Sequence, residues 1–155
     1  MPPEEIVTRL AAEKAKDVAQ RLSAGLIIGA DTIVVYRQQV LGKPVDEAEA
    51  VEMLRKLQGD IHEVYTGIAL ADASTGECVT SHERTFVIFR PLDEEEIQYY
   101  VATGEPMDKA GAYGAQGIGA AFVEHIEGSY TNVVGLPLSR LTLMLKKFSI
   151  EIIKK

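Results

Sequence analysis

An aspartate inside an apolar strand is the first residue that asks for a chemical explanation. The run Gly25-Leu26-Ile27-Ile28-Gly29-Ala30-Asp31-Thr32-Ile33-Val34-Val35-Tyr36 is nearly continuous and β-branched, the pattern of a strand buried on both faces. A carboxylate there is costly unless it is paired, protonated or bound to a metal. Asp31 is therefore a candidate for acid–base or metal chemistry, or else an aspartate at a strand end that accepts backbone hydrogen bonds. Lys43 stands between Gly42 and Pro44, and the proline biases it toward an extended backbone. Its amine can bind a phosphate as a point charge or simply lie in solvent. His62 opens His62-Glu63-Val64-Tyr65-Thr66-Gly67. Strand alternation puts it on one face with Val64 and Thr66, as the lining of a polar cleft or as a core histidine satisfied by a neighbour.

Two glycine-rich segments follow. Asp108-Lys109-Ala110-Gly111-Ala112-Tyr113-Gly114-Ala115-Gln116-Gly117-Ile118-Gly119 lets backbone N–H groups approach a ligand and form an anion-binding concavity. It is no dinucleotide fingerprint, because the third glycine is missing and a strand pattern follows, and no Gly-Lys-Ser/Thr makes it a P-loop. In Gly128-Ser129-Tyr130-Thr131-Asn132-Val133-Val134-Gly135-Leu136-Pro137, Ser129 and Asn132 can bind ligand oxygens, or cap and form turns.

The elements that must position these residues can be read from periodicity. Glu4 to Leu22 reads as a helix with Ile6, Leu10, Val18 and Leu22 on one face. The strand Gly25–Tyr36 leads through a turn at residues 37–39 into Val40-Leu41. Asp46 caps a helix with Val51, Leu54 and Leu57 as its stripe, ending at Gly59. His62–Ala71 and Cys78–Arg90 form a hairpin pair. Glu94-Glu95-Glu96 opens a helix that stops at Gly104. Residues 104–119 form an ordered loop, Ala120–Ile126 a short strand, Pro137–Phe148 a helix, and Ser149–Ile153 a last strand. Interleaved strands and helices predict an α/β class with a mixed sheet.

Composition narrows the function classes. The chain has 155 residues, 46% of them hydrophobic and 25% charged, which suits one globular domain. A net charge of −7 argues against a general nucleic-acid binder. The single cysteine, Cys78, excludes an internal disulfide and a cysteine-built zinc site, and it reads as a half-buried strand residue. No signal-peptide pattern appears at Met1-Pro2-Pro3-Glu4-Glu5. The longest apolar stretch, Ala24–Tyr36, is interrupted by Asp31 and is too short to span a bilayer. A cytoplasmic protein without membrane association is expected.

The order of the motifs is more specific than any one of them. Gly29-Ala30-Asp31-Thr32-Ile33-Val34, Gly42-Lys43-Pro44, His62-Glu63-Val64-Tyr65-Thr66-Gly67, Asp108-Lys109-Ala110-Gly111-Ala112-Tyr113-Gly114 and Gly128-Ser129-Tyr130-Thr131-Asn132-Val133-Val134-Gly135-Leu136-Pro137 together resemble the Maf family over nearly the whole chain. The resemblance implies a fold related to the inosine triphosphate pyrophosphatases, with an elongated mixed sheet, flanking helices and two lobes around a cleft. It implies hydrolysis of a nucleoside triphosphate to the monophosphate and pyrophosphate with a divalent metal, Mg or Mn, and a homodimer.

By the same resemblance Asp31 matches the proton acceptor, Lys43 the phosphate-site lysine, and Lys14 a second such lysine. Asp31 as metal ligand and Asp31 as proton acceptor stay open as alternatives. Thr32 and Gln116 stand where substrate choice is made in the family, and the pair resembles the dTTP/UTP branch. His62, Asp108, Lys109, Ser129 and Asn132 complete the expected substrate-binding set. Relatives usually begin with a strand and a Ser-x-Arg-Arg segment. No Arg-Arg pair occurs in the sequence, so the expectation is a single Maf-like domain over 1–155 without them. The alternative function is a catalytically impaired nucleotide-binding or cell-division regulatory module.

Overall fold

The computed structural model describes residues 1–153. In chain order it contains α1 (Pro3–Ala19), β1 (Leu26–Tyr36), β2 (Gln39–Leu41), α2 (Glu47–Leu57), β3 (Ile61–Asp72), β4 (Cys78–Phe89), α3 (Glu94–Ala102), β5 (Val123–Glu127), α4 (Tyr130–Val134) and α5 (Leu138–Lys146). Three short 3-10 turns occupy Glu105–Asp108, Ala110–Ala112 and Ile118–Phe122. The strands form one open sheet in the order β2-β1-β3-β4-β5.

The α/β class and flanking helices are as expected, but the sheet is antiparallel where a mixed one was anticipated. The connections explain it. β1 and β2 are joined by a two-residue turn in which Arg37 (φ 47°) and Gln38 (φ 68°) both adopt left-handed backbone, as a tight hairpin demands. β2 therefore runs back against β1, and at the other edge of the sheet β4 and β5 pair antiparallel as well.

The chain forms two compact units. The first comprises residues 1–32, 65–83 and 131–155. Its sheet segments carry helices of different character on their two faces. On one, Ile68 and Leu70 pack with Leu141, Met144 and Leu145 of α5. On the other, Ala69 and Ala71 meet Ala11 and Ala15 of α1, with Ile27 and Cys78 alongside. This second interface is built from small residues because α1 lies almost on the strands. A Cβ added at Gly67 would stand 2.2 Å from the Val7 carbonyl oxygen, and one at Gly29 would stand 2.4 Å from that of Ala11.

The face of α1 expected to be buried is therefore wrong. Leu10, Val18 and Leu22 are exposed, and Val7, Ala11 and Ala15 are the buried set. β1 is likewise not buried on both faces throughout, since Ile28 is 47% exposed while Ile33–Tyr36 are buried.

The second unit comprises residues 33–64 and 84–130. Its core is aromatic. Phe89 meets His62, Tyr113 and Phe122 edge to face, and Tyr100 meets Phe122 in the same way at 4.7 Å between centroids. α2 starts where Asp46 accepts from the Glu49 N–H at 2.8 Å. α3 starts at a capping box formed by Asp93 and Glu96, the reciprocal arrangement that satisfies two otherwise unpaired donors.

One further expectation fails. Residues 149–153 form no strand: Ser149 turns the chain with φ 60°. Within the second glycine-rich segment, residues 130–134 form a short helix. No helix of the described residues is long and apolar enough to cross a membrane.

Gly67→Ala should destabilise the fold by about 3 kcal/mol, the upper range for overpacking against backbone. Gly42→Ala, with nothing within 4 Å of its added Cβ, should stay within about 0.5 kcal/mol of wild type. Urea denaturation of both variants checks the contrast.

Candidate active site

In the first unit the close approach of α1 brings Lys14 over β1. Its Nζ donates to the Asp31 carboxylate Oδ1 at 2.7 Å and to the Ala30 carbonyl at 3.3 Å. The Asp31 side chain is 16% exposed and that of Lys14 57%, so the carboxylate is paired rather than stranded and still reaches solvent. Oδ1 is held by the amine, and Oδ2 accepts no hydrogen bond among the described residues. Asp31 can thus accept a proton or offer one oxygen to a cation.

Thr32, the next residue along the strand, points to the opposite face. Its hydroxyl lies 2.8 Å from the Thr66 hydroxyl, and Thr66 donates to the Asn132 carbonyl at 3.2 Å. That carbonyl can only accept, so the single Thr66 proton is committed to it. Thr32 must then donate to Thr66, which leaves its own hydroxyl oxygen with acceptor capacity alone. The Asn132 side chain is fully buried, at 0% exposure. Its expected role as a direct ligand contact is corrected on that ground: Asn132 belongs to the scaffold that orders Thr32.

In the second unit Lys43 is exposed on the segment after β2. The Gly42 carbonyl beside it accepts from the Gly111 N–H at 3.1 Å, which fastens the glycine-rich loop to the lysine's own backbone. Lys109 Nζ donates to Asp108 at 2.7 Å. That hydrogen bond, with the charges of Lys109 and Lys43, holds the Asp108 carboxyl below its usual range. Lys43, Asp108 and Lys109 therefore form one local charge cluster. Gln116 is exposed at the apex of the loop. Ser129 is fixed through its backbone: its N–H donates to the Thr85 hydroxyl at 3.1 Å, and its carbonyl accepts from that hydroxyl at 3.3 Å.

The His62 side chain belongs to the core, at the floor of a shallow pocket lined by Tyr36, Asp60 and Phe86. It is 2% exposed, and its Nε2 is paired with the Tyr113 hydroxyl at 2.7 Å. Burial drives its imidazole down to about 4, against the opposing charge of Asp60. It is a neutral core histidine, and the expectation of a substrate contact is corrected accordingly. The residue that sequence reasoning passed over is Glu105. Its carboxylate accepts from the Tyr100 hydroxyl and from the N–H groups of Ile118 and Gly119 at 2.9 and 3.0 Å. A glutamate after Gly104 reads as a solvated charge, and only the folded loop reveals its partners.

No cluster of three or more His, Cys, Asp or Glu side chains suited to a metal occurs among the described residues. Asp31 offers a single carboxylate oxygen, the donor set of a magnesium-type ion that shares its shell with substrate phosphates and water.

An antiparallel sheet with a lysine-paired strand aspartate, a Gly-Lys-Pro corner and a glycine-rich loop tied to that corner is the framework on which the comparisons fall. The Maf-like protein family model matches residues 1–148, and the chain belongs to the Maf family. It is similar to the dTTP/UTP pyrophosphatase of Pelotomaculum thermopropionicum, with 56% identity over 153 residues that cover 99% of this chain and 80% of that protein. The dTTP/UTP pyrophosphatase of Bacillus cereus is 54% identical over 150 residues, covering 97% of this chain and 78% of the relative. That of Bacillus anthracis is 53% identical over the same coverage.

The buried imidazole makes a pH prediction. His62 is neutral in both folded and unfolded chains above its ordinary value of 6.5. As pH falls from 6.5 toward about 4, the unfolded chain takes up a proton that the folded chain refuses. Stability is complete above that window and drops through it by up to about 3 kcal/mol. Denaturation midpoints measured across the window should fall less steeply for His62→Gln than for wild type.

Proposed function

We propose that this chain hydrolyses dTTP and UTP to the monophosphate and pyrophosphate. The observation that carries the reading is the Lys14–Asp31 pair, 2.7 Å long and open to solvent through the carboxylate, in a Maf chain 53–56% identical to proteins named dTTP/UTP pyrophosphatase.

Hydrolysis requires water to attack the α-phosphorus while negative charge builds on the phosphoryl oxygens. In this reading the free oxygen of Asp31 takes the proton of that water. Lys14 fixes the carboxylate so that the oxygen is presented in one orientation. Lys43 and Lys109 supply positive charge to the phosphates, an electrostatic contribution that grows as water is excluded. A magnesium or manganese ion carried with the triphosphate would neutralise further charge when bound; in the alternative role the free Asp31 oxygen would hold that ion instead of taking the proton.

Base choice falls to Gln116. Its amide offers a donor and an acceptor, matching the alternating acceptor–donor–acceptor edge of uracil and thymine. Thr32 adds an acceptor whose proton is already committed to Thr66, so it favours ligand groups that donate. Ser129 contributes to the nucleotide site from its backbone-fixed position. The same reading carries a cytoplasmic homodimer, which sedimentation of the purified chain would test.

Incubation with dTTP or UTP and magnesium should release pyrophosphate. Asp31→Asn should lower the rate about 100-fold or more, the range for loss of a general base. Nucleotide binding by calorimetry without any turnover would instead favour the regulatory-module reading.

A further inference from the structure

We propose that Glu105 is the positioning residue of the nucleotide-base site, acting through the Gly114–Gly119 arch that carries Gln116. The inference rests on the proposed function for the role of Gln116, and otherwise on contacts within the second unit alone.

The arch has two feet, and both stand on one carboxylate–phenol pair. At its start the Gly114 N–H donates to the Tyr100 hydroxyl at 3.0 Å. That hydroxyl in turn donates to Glu105. At its end the Ile118 N–H donates to Glu105 Oε1 at 2.9 Å and the Gly119 N–H donates to Oε2 at 3.0 Å. Tyr100 is 3% exposed and sits in α3 against Phe122, so the anchor is itself embedded in the aromatic core. Ala115, Gln116 and Gly117 bridge the two feet, and the Gly117 N–H closes the turn on the Gly114 carbonyl at 3.3 Å.

The contact is close enough to dictate sequence. A Cβ at Gly117 would fall 1.8 Å from Glu105 Oε1, and one at Gly119 would fall 2.6 Å from the Gly114 carbonyl oxygen. Burial pushes the Glu105 carboxyl up. The Tyr100 hydroxyl, the two N–H groups and the Lys109 charge outweigh it and hold the carboxyl below its usual range. Glu105 is therefore an anion with both carboxylate oxygens engaged by the arch and its anchor. It has no need of a ligand, and its action is on the loop.

The carboxylate chemistry is specific. Three donors converge on two oxygens, which an ionised carboxylate accepts. A glutamine in its place offers one oxygen and turns an NH2 group toward an N–H donor, so one foot of the arch must lift. Gln116 then loses its fixed presentation, while Lys109 keeps its hydrogen bond to Asp108. Misplacement at a recognition group appears in KM and in selectivity before it appears in the chemical step.

The test is a double-mutant cycle of Glu105→Gln and Gln116→Ala. It measures kcat and KM for UTP and CTP with magnesium, alongside amide hydrogen exchange of residues 114–119. Glu105→Gln should raise KM for UTP about ten-fold, as for loss of one charge-assisted hydrogen bond, with kcat changed by less than about three-fold. The preference for UTP over CTP should fall toward that of Gln116→Ala. Adding Gln116→Ala to Glu105→Gln should cost little more, because one residue works through the other.

Additive losses, or a folded Glu105→Gln protein with unchanged selectivity, would overturn the proposal. Tyr100→Phe, which frees the Gly114 foot without altering the carboxylate, should give the same pattern with a smaller amplitude, and it decides the matter if Glu105→Gln does not fold. Should wild type release no pyrophosphate from either nucleotide, the proposed function falls by itself. Amide exchange then still decides the clamp: faster exchange at Ile118 and Gly119 in Glu105→Gln supports it, and unchanged exchange sinks it.

Discussion

The separation between α1 and the strands beneath it governs the first unit. Gly29 and Gly67 admit the helix backbone to within a distance that a single methyl group would close. Ala11 and Ala15 supply the smallest side chains that still exclude water. Lys14 precedes Ala15, and Asp31 follows Gly29 by one strand repeat, so the same approach that seats the helix places the amine on the carboxylate. Larger residues at any of these positions would raise the helix and lengthen the ion pair. The pair is thus a product of packing, not of attraction: a half-exposed lysine in water has little reason to give up its rotamer freedom for one carboxylate.

A second device recurs through both units, which is the assignment of protons by groups that can only accept or only donate. The Asn132 carbonyl fixes the Thr66 proton and so the Thr32 proton. The Glu105 carboxylate fixes the Tyr100 proton, which leaves the phenolic oxygen to accept from Gly114. Buried networks of this kind hold a single arrangement because any alternative leaves a donor facing a donor. A loop rich in glycine, which would otherwise sample many backbone states, becomes a defined surface when its ends are tied this way.

Much of this was legible in the sequence where the signal is local. Asp46 announced the start of α2 and the run Glu94-Glu95-Glu96 that of α3, since capping and helix-end charge act within about one turn. The hairpin pair of β3 and β4 was equally plain. The buried face of α1 was not, because periodicity weights Leu10 and Val18 above Ala11 and Ala15, whereas a close-packed helix buries its smallest side. His62 and Asn132 read as polar residues near a site, and their burial depends on Tyr113, Thr66 and other partners distant in the chain. Ile150 to Ile153 had the composition of a strand, but pairing needs an available edge, and that is a property of the tertiary fold. Glu105 carried no signal at all, because its two N–H donors, Ile118 and Gly119, come from a loop far along the chain.

Consecutive residues of β1 serve opposite faces, and this sets how recognition and chemistry are joined. Asp31 belongs with α1 and Lys14; Thr32 belongs with Thr66 and the segment around α4. Strand alternation is strict, so a slip of one residue would exchange the two, burying the carboxylate among hydroxyls and turning the threonine toward the amine. The register of β1 is therefore held from both sides at once, by glycine against helix backbone on one face and by the ordered hydroxyl chain on the other. Asp31 and Thr32 cannot drift independently when one stretch of backbone carries both. Rigidity at residues 31 and 32 is the condition under which a single lysine-paired carboxylate presents one oxygen in one direction.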